Sequence, residues 1–205
     1  MRVQLISSTP DPLWIITKAA RECYDSHSTT ISSDHKLFLA MLRRDETPLE
    51  HATFTFRITD VSRTLTHQLV RHRIASFNQQ SQRYVEADGH HYTPNLDYMD
   101  PQYKQYAVAK YDSAMQFAFD RYFELIDLGV KREDARYVLP NATFSSLIMT
   151  MNLRSLRRLF LLRLSSKAQA EIRDLAMLIL TITCGKFPIE LTTDITTILS
   201  TLGHD

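Results

Sequence analysis

The chain has 205 residues, of which 44% are apolar and 10% aromatic, enough to fill one domain core, so a disordered chain is excluded. Its four glycines (Gly89, Gly129, Gly185 and Gly203) stand singly, whereas a P-loop or dinucleotide fingerprint needs several within about ten residues so that backbone can approach phosphate. Twenty-four basic residues against twenty-three acidic ones leave a formal charge of +1, too balanced for a protein that works by bulk attraction to nucleic acid or anionic lipid. The first ten residues lack a basic region followed by a long apolar run, and no stretch reaches the eighteen or so apolar residues of a membrane span. With only Cys23 and Cys184, no disulfide framework is possible, and a cytoplasmic protein with no membrane partner is expected.

In chain order, Ile16, Ala19, Ala20 and Cys23 recur at helical spacing behind Pro10 and Pro12, predicting a helix over 13–25. Leu37, Met41 and Leu42 predict a second over 34–43. Residues 53–58 alternate strictly, with Phe54, Phe56 and Ile58 on one face, as a half-buried strand does. Asp60 reads as the N-cap of a helix reaching about His72, since Val61, Leu65 and Leu69 recur every four residues. A loop over 86–101 leads into a long helix from about 102 to 128, which Gly129 ends. A short helix near 131–138 stops before Pro140, and 143–151 reads as a buried strand. Ser166 and Gln169 resemble a capping box for a helix over 167–184, and Pro188 opens a last one. No repeat or linker divides the chain. The expected fold class is α+β: a helix-rich single domain over 1–205 with a small antiparallel sheet.

The charge is unevenly placed. Seventeen of the basic residues are Arg, the side chain whose planar fork holds phosphate or carboxylate bidentately. Residues 51–85 carry Arg57, Arg63, Arg71, Arg73 and Arg83 against one acid, Asp60. Residues 152–173 carry Arg154, Arg157, Arg158, Arg163, Lys167 and Arg173 against Glu171. Either run alone reads as a solvated basic face. Together they read as two halves of one anion site, with phosphate-bearing nucleotides the natural ligands for many forks and amides without glycine loops. If 153–164 is helical, Leu156, Phe160 and Arg163 share one line at i, i+4 and i+7, which points Arg163 into packed structure. A guanidinium there needs an internal carboxylate or a bound ligand.

Arg71-His72-Arg73, then Ser81-Gln82-Arg83-Tyr84 after a seven-residue gap, resembles the signature of the flavin-dependent thymidylate synthases. The resemblance extends over Thr47-Pro48-Leu49-Glu50-His51, His67-Gln68-Leu69-Val70, residues 135–140, Asn152-Leu153-Arg154 and Leu162-Arg163, covering roughly residues 14 to 180. It implies a homotetramer with FAD sites at subunit interfaces, converting dUMP to dTMP with 5,10-methylenetetrahydrofolate as carbon donor and NADPH as reductant. Carried over by position, Thr47, Arg71, His72, Arg73, Gln79, Asn152 and Arg154 would contact FAD, with Arg158 on the flavin face. Gln68, Ser81, Gln82, Arg83, Arg136 and Arg163 would contact dUMP, and Arg163 would be the catalytic residue that activates the pyrimidine. No metal is implied.

The chemistry agrees. Uracil C5 is a poor nucleophile, and one remedy is thiolate addition at C6. Here Cys23 continues an apolar stripe and Cys184 sits near a helix end, so both read as packing. Activation then falls to a fixed cation, and Ser81 reads as a hydrogen-bond donor. The chain departs from the family pattern at Asp45 (often His), Gln79 (Glu), Gln82 (Gly), Arg158 (Asn) and Lys167 (His). Three rivals are a nucleic-acid-binding module stacking bases on Phe77, Tyr84 and Phe160, a metal-dependent hydrolase, and an FAD-binding paralogue without catalysis. The balanced charge opposes the first, and the five-residue spacing of His67 and His72 opposes the second.

Overall fold

A computed structural model describes residues 1–26 and 30–201; Gly203 lies outside them. In chain order the elements are β1 (Arg2–Ser8), α1 (Pro12–Glu22), α2 (Ile31–Arg44), a 3₁₀ turn (Thr47–His51), β2 (Thr53–Ser62), α3 (Arg63–Leu69) and β3 (Ser76–Gln79). Then come α4 (Pro101–Asp127), α5 (Arg132–Ala135), a second 3₁₀ turn (Arg136–Val138), β4 (Phe144–Asn152), α6 (Leu153–Arg163), α7 (Ala170–Cys184) and α8 (Ile189–Thr201). The strands form one antiparallel sheet in the order β1-β2-β4-β3. This is the helix-rich α+β class that the pattern of elements predicts.

Contacts gather into two compact units. The first takes Met1–Arg2, Ile58–Leu69 and Asn78–Leu147; the second takes Val3–Arg57, Val70–Phe77 and Ile148–Asp205. In the first, α4 packs on α5 and the second 3₁₀ turn, with Phe119 and Tyr122 buried. Helix α4 ends as Gly129 turns left-handed at φ +87°, while Val130 N–H reaches back to the Leu125 carbonyl. In the second, α1 packs on α2, α6 on α7, and α8 on α2 and α6. Phe38 of α2 stacks on Phe187 at 4.9 Å. Each such buried apolar side chain contributes about 1.5–3 kcal/mol.

Local chemistry explains several boundaries. Asp11 caps α1 by accepting the Trp14 N–H at 3.1 Å, with Pro12 as the first helical residue. Helix α2 starts earlier than its apolar spacing suggests, because Thr30 and Ser33 cap each other reciprocally. Arg21 of α1 then binds Asp34 of α2 at 2.6 Å.

Two expected caps are corrected. Asp60 does not start a helix: β2 runs on to Ser62, and Asp60 sits inside it at φ 57°, a left-handed residue of the kind that bends a strand. Ser62 is the cap instead, its hydroxyl accepting the Leu65 N–H at 2.9 Å, so α3 covers only Arg63–Leu69. The Ser166/Gln169 box does not form either, because a turn from Ser165 to Ala168 occupies that backbone and α7 begins at Ala170 without a side-chain cap. Strands β1 and β3 were not anticipated. Strand β3 is only four residues long and lies inside the polar Arg71–Tyr84 stretch, where no apolar alternation marks it.

Candidate functional site

Helix α6 is built to show two faces. Asn152 caps it, its side-chain oxygen accepting the Ser155 N–H at 2.8 Å, and Leu153, Leu156, Leu159 and Phe160 are buried on one side. The other side presents Arg154, Ser155, Arg158, Leu162 and Arg163 to a cavity of about 540 Å³. Residues Arg71–Ile74, in the loop between α3 and β3, supply the facing wall, and Asp45 and Glu50 close it with two carboxylates. All of these residues belong to the second unit.

The arginines here are not alike. Arg154 donates to Glu50 at 2.7 Å and lies 3.5 Å from Asp45; the Glu50 hydrogen bond chiefly holds its pKa above the ordinary value. Arg71, Arg73 and Arg158 make no ion pair among the described residues. Arg163 donates from Nε to His72 Nε2 at 3.1 Å. Burial, then Arg163 and Arg158, push the His72 pKa down to about 4, so the ring is neutral near pH 7.

Arg163 is not buried as its spacing predicts. Leu156 and Phe160 are fully buried, but Arg163 is the last residue of α6 and half-exposed; an apolar line reaches the core only as far along the helix as the core extends. The buried arginine is Arg157, 8% exposed. It donates to the Leu42 and Arg43 carbonyls at 2.6 and 3.1 Å and meets Asp45 at 3.3 Å. Asp45 Oδ1, sealed from solvent, makes no well-aligned hydrogen bond, so the charges of Arg154 and Arg157 are what hold it. Leu153, Arg157 and Phe160 also stand at i, i+4 and i+7, so the signal was present in the sequence.

Five of the residues assigned to FAD by resemblance line this cavity: Arg71, His72, Arg73, Arg154 and Arg158. Thr47 is exposed at the start of the first 3₁₀ turn, and neither it nor Asn152 lines the cavity. Gln79 lies in the first unit, where its amide donates to Thr66 at 3.0 Å and Ser145 at 3.1 Å.

The first unit also holds Gln68, Ser81, Gln82, Arg83 and Arg136. Arg83 pairs with the Glu133 carboxylate at 2.8 Å, and Arg136 donates to the Glu133 carbonyl at 3.1 Å, so one residue aligns both guanidiniums. The Ser81 hydroxyl accepts the Arg83 N–H at 3.2 Å, a bond within its own turn. Arg63, which the resemblance leaves unassigned, has its pKa lowered by burial and by Arg136.

Neither cysteine lies in the cavity. Cys184 is buried, which pushes its thiol up to about 11. Cys23, expected to be packed, is instead exposed just past the end of α1. Among the described residues no cluster of three or more His, Cys, Asp or Glu side chains suits a metal ion, and no helix is long and apolar enough to cross a membrane.

A family model described as "Thymidylate synthase complementing protein" matches residues 4–189. The flavin-dependent thymidylate synthase of Geobacter sulfurreducens is 43% identical over 196 residues, covering 92% of this chain and 84% of the relative. That of Saccharolobus solfataricus is 39% identical over 182 residues, covering 85% and 69%. Among solved structures, the UMP/dUMP methylase PolB of Streptomyces cacaoi bound with 5-Br dUMP matches with a TM-score of 0.83 at 28% identity, covering 98% of this chain and 95% of that one. Thymidylate Synthase X of Helicobacter pylori with FAD and dUMP matches at 0.76 and 27%, covering 97% and 99%.

Proposed function

The chain belongs to the flavin-dependent thymidylate synthase family, and from that premise we propose how its residues divide the work. It is an FAD-dependent methyltransferase that converts dUMP to dTMP. The cavity beside α6 carries the residue assignment. A donor set of Arg71, Arg73 and Arg158 without ion pairs among the described residues suits the diphosphate of FAD, which charge-assisted forks bind well. Arg154, paired with Glu50 and close to Asp45, serves a less charged part of the cofactor. By resemblance, His72, Thr47, Asn152 and Gln79 complete the FAD contacts.

Gln68, Ser81, Gln82, Arg83 and Arg136 hold dUMP, the two arginines aligned through Glu133 as phosphate donors. Arg163 activates the pyrimidine. A guanidinium cannot lose its proton near neutral pH, and at the N3–O4 edge it draws negative charge from the ring as C5 becomes nucleophilic. FAD supplies the redox chemistry when bound. 5,10-methylenetetrahydrofolate is the carbon donor and NADPH the reductant, and the enzyme works as a cytoplasmic homotetramer with no nucleic-acid or membrane partner. The family match spanning residues 4–189 supports a single catalytic domain.

The test is the visible spectrum of the purified protein. It should be yellow, bleach with NADPH and recover in air. A colourless protein that does not take up added FAD would overturn the assignment, and flavin bleaching without dTMP formation from dUMP would identify a paralogue that kept the cofactor and lost catalysis.

A further inference from the structure

We propose that His72 is a positioning residue, whose Nε2 takes the Arg163 Nε–H and so sets the plane in which that guanidinium meets the pyrimidine. The inference rests on the reading of Arg163 as the activating cation. Both side chains wall the cavity, and they come from parts of the chain 91 residues apart. An arginine offers only donors, so the ring nitrogen 3.1 Å away must be the acceptor, which places the imidazole proton on Nδ1. A doubly protonated ring would set N–H against N–H, and its lowered pKa keeps the ring neutral in working conditions.

Arg163 is the last residue of α6 and half-buried, carrying a long side chain with several rotors. A bond at Nε fixes the final rotor. Preorganised electrostatic groups act only when aimed at the developing charge, and a misplacement of about 1 Å costs roughly 10²-fold in rate.

The experiment compares H72L, H72Q, R163A and the double variant H72L/R163A as holoenzymes, with FAD saturating and dUMP varied. H72L, with flavin bound, should lose kcat roughly 10²-fold. H72Q, whose Oε1 stands near the position of Nε2, should recover most of it, and the double variant should be no slower than R163A. Nitrogen NMR of the histidine rings should show an unprotonated Nε2 at His72 whose shift moves in R163A, a readout independent of turnover. Normal kcat in H72L beside a slow R163A would overturn the inference while leaving the role of Arg163 intact. Additive losses in the double variant, no recovery in H72Q, or a protonated Nε2 would overturn it as well. Full turnover in R163A would remove the activating role itself, and the inference with it.

Discussion

Arg157 and Arg158 are neighbours on one helix and have opposite surroundings. Arg157 is buried against the end of α2, with two main-chain carbonyls and Asp45 as partners. Arg158 is exposed at the cavity and makes no ion pair among the described residues. About 100° of helical rotation separates them. A basic run is therefore not one feature: part of its charge is consumed in holding the walls together, and part is left for a ligand. The 51–85 stretch is also mixed: Arg83 is paired with Glu133, while Arg71 and Arg73 line the cavity without ion pairs among the described residues.

Substitutions on the two faces should separate these roles. R157M strips the donors from two carbonyls and one cation from Asp45, and should destabilise the fold by about 2–4 kcal/mol in urea unfolding; an unchanged midpoint would show that the inner face is not structural. R158A should leave that midpoint within about 0.5 kcal/mol while weakening FAD binding about tenfold, near 1.4 kcal/mol, by titration. If R158A unfolds the chain instead, the contrast is broken.

The cavity face should also make stability depend on pH. The His72 pKa lies at about 4, below its ordinary 6.5, so between those values the unfolded chain binds more protons and stability falls as pH falls. The loss is complete below about pH 4 and absent above pH 6.5, and H72Q should lose less Tm than the wild type across that window. Smallest is E50Q, which breaks a half-exposed pair with Arg154 and should change stability by less than about 1 kcal/mol.

Much of this was legible in the sequence because it is local. The alternation that buries Phe54, Phe56 and Ile58, the apolar spacing of α1, and the glycine that stops α4 all read directly. The Asp60 and Ser166 caps misled because several nearby side chains compete to cap a helix, and the winner depends on strand pairing or turns that local spacing does not encode. The burial of Arg157 was signalled by its spacing from Leu153 and Phe160, yet a charged side chain is not ordinarily read as core.

The sequence by itself determined the class of fold, the concentration of arginine in two runs, the absence of a glycine-loop cradle, and the signature that marks the family. Tertiary structure decided which arginines are neutralised, that Asp45 and Glu50 close the cavity, that the His72 ring faces Arg163, and that Arg83 and Arg136 share Glu133. Helical and strand periodicity act over a few residues and can be read along the chain. Charge pairing acts across space, and the partners of Arg83, Arg163, Arg154 and Arg157 lie from 50 to 115 positions away.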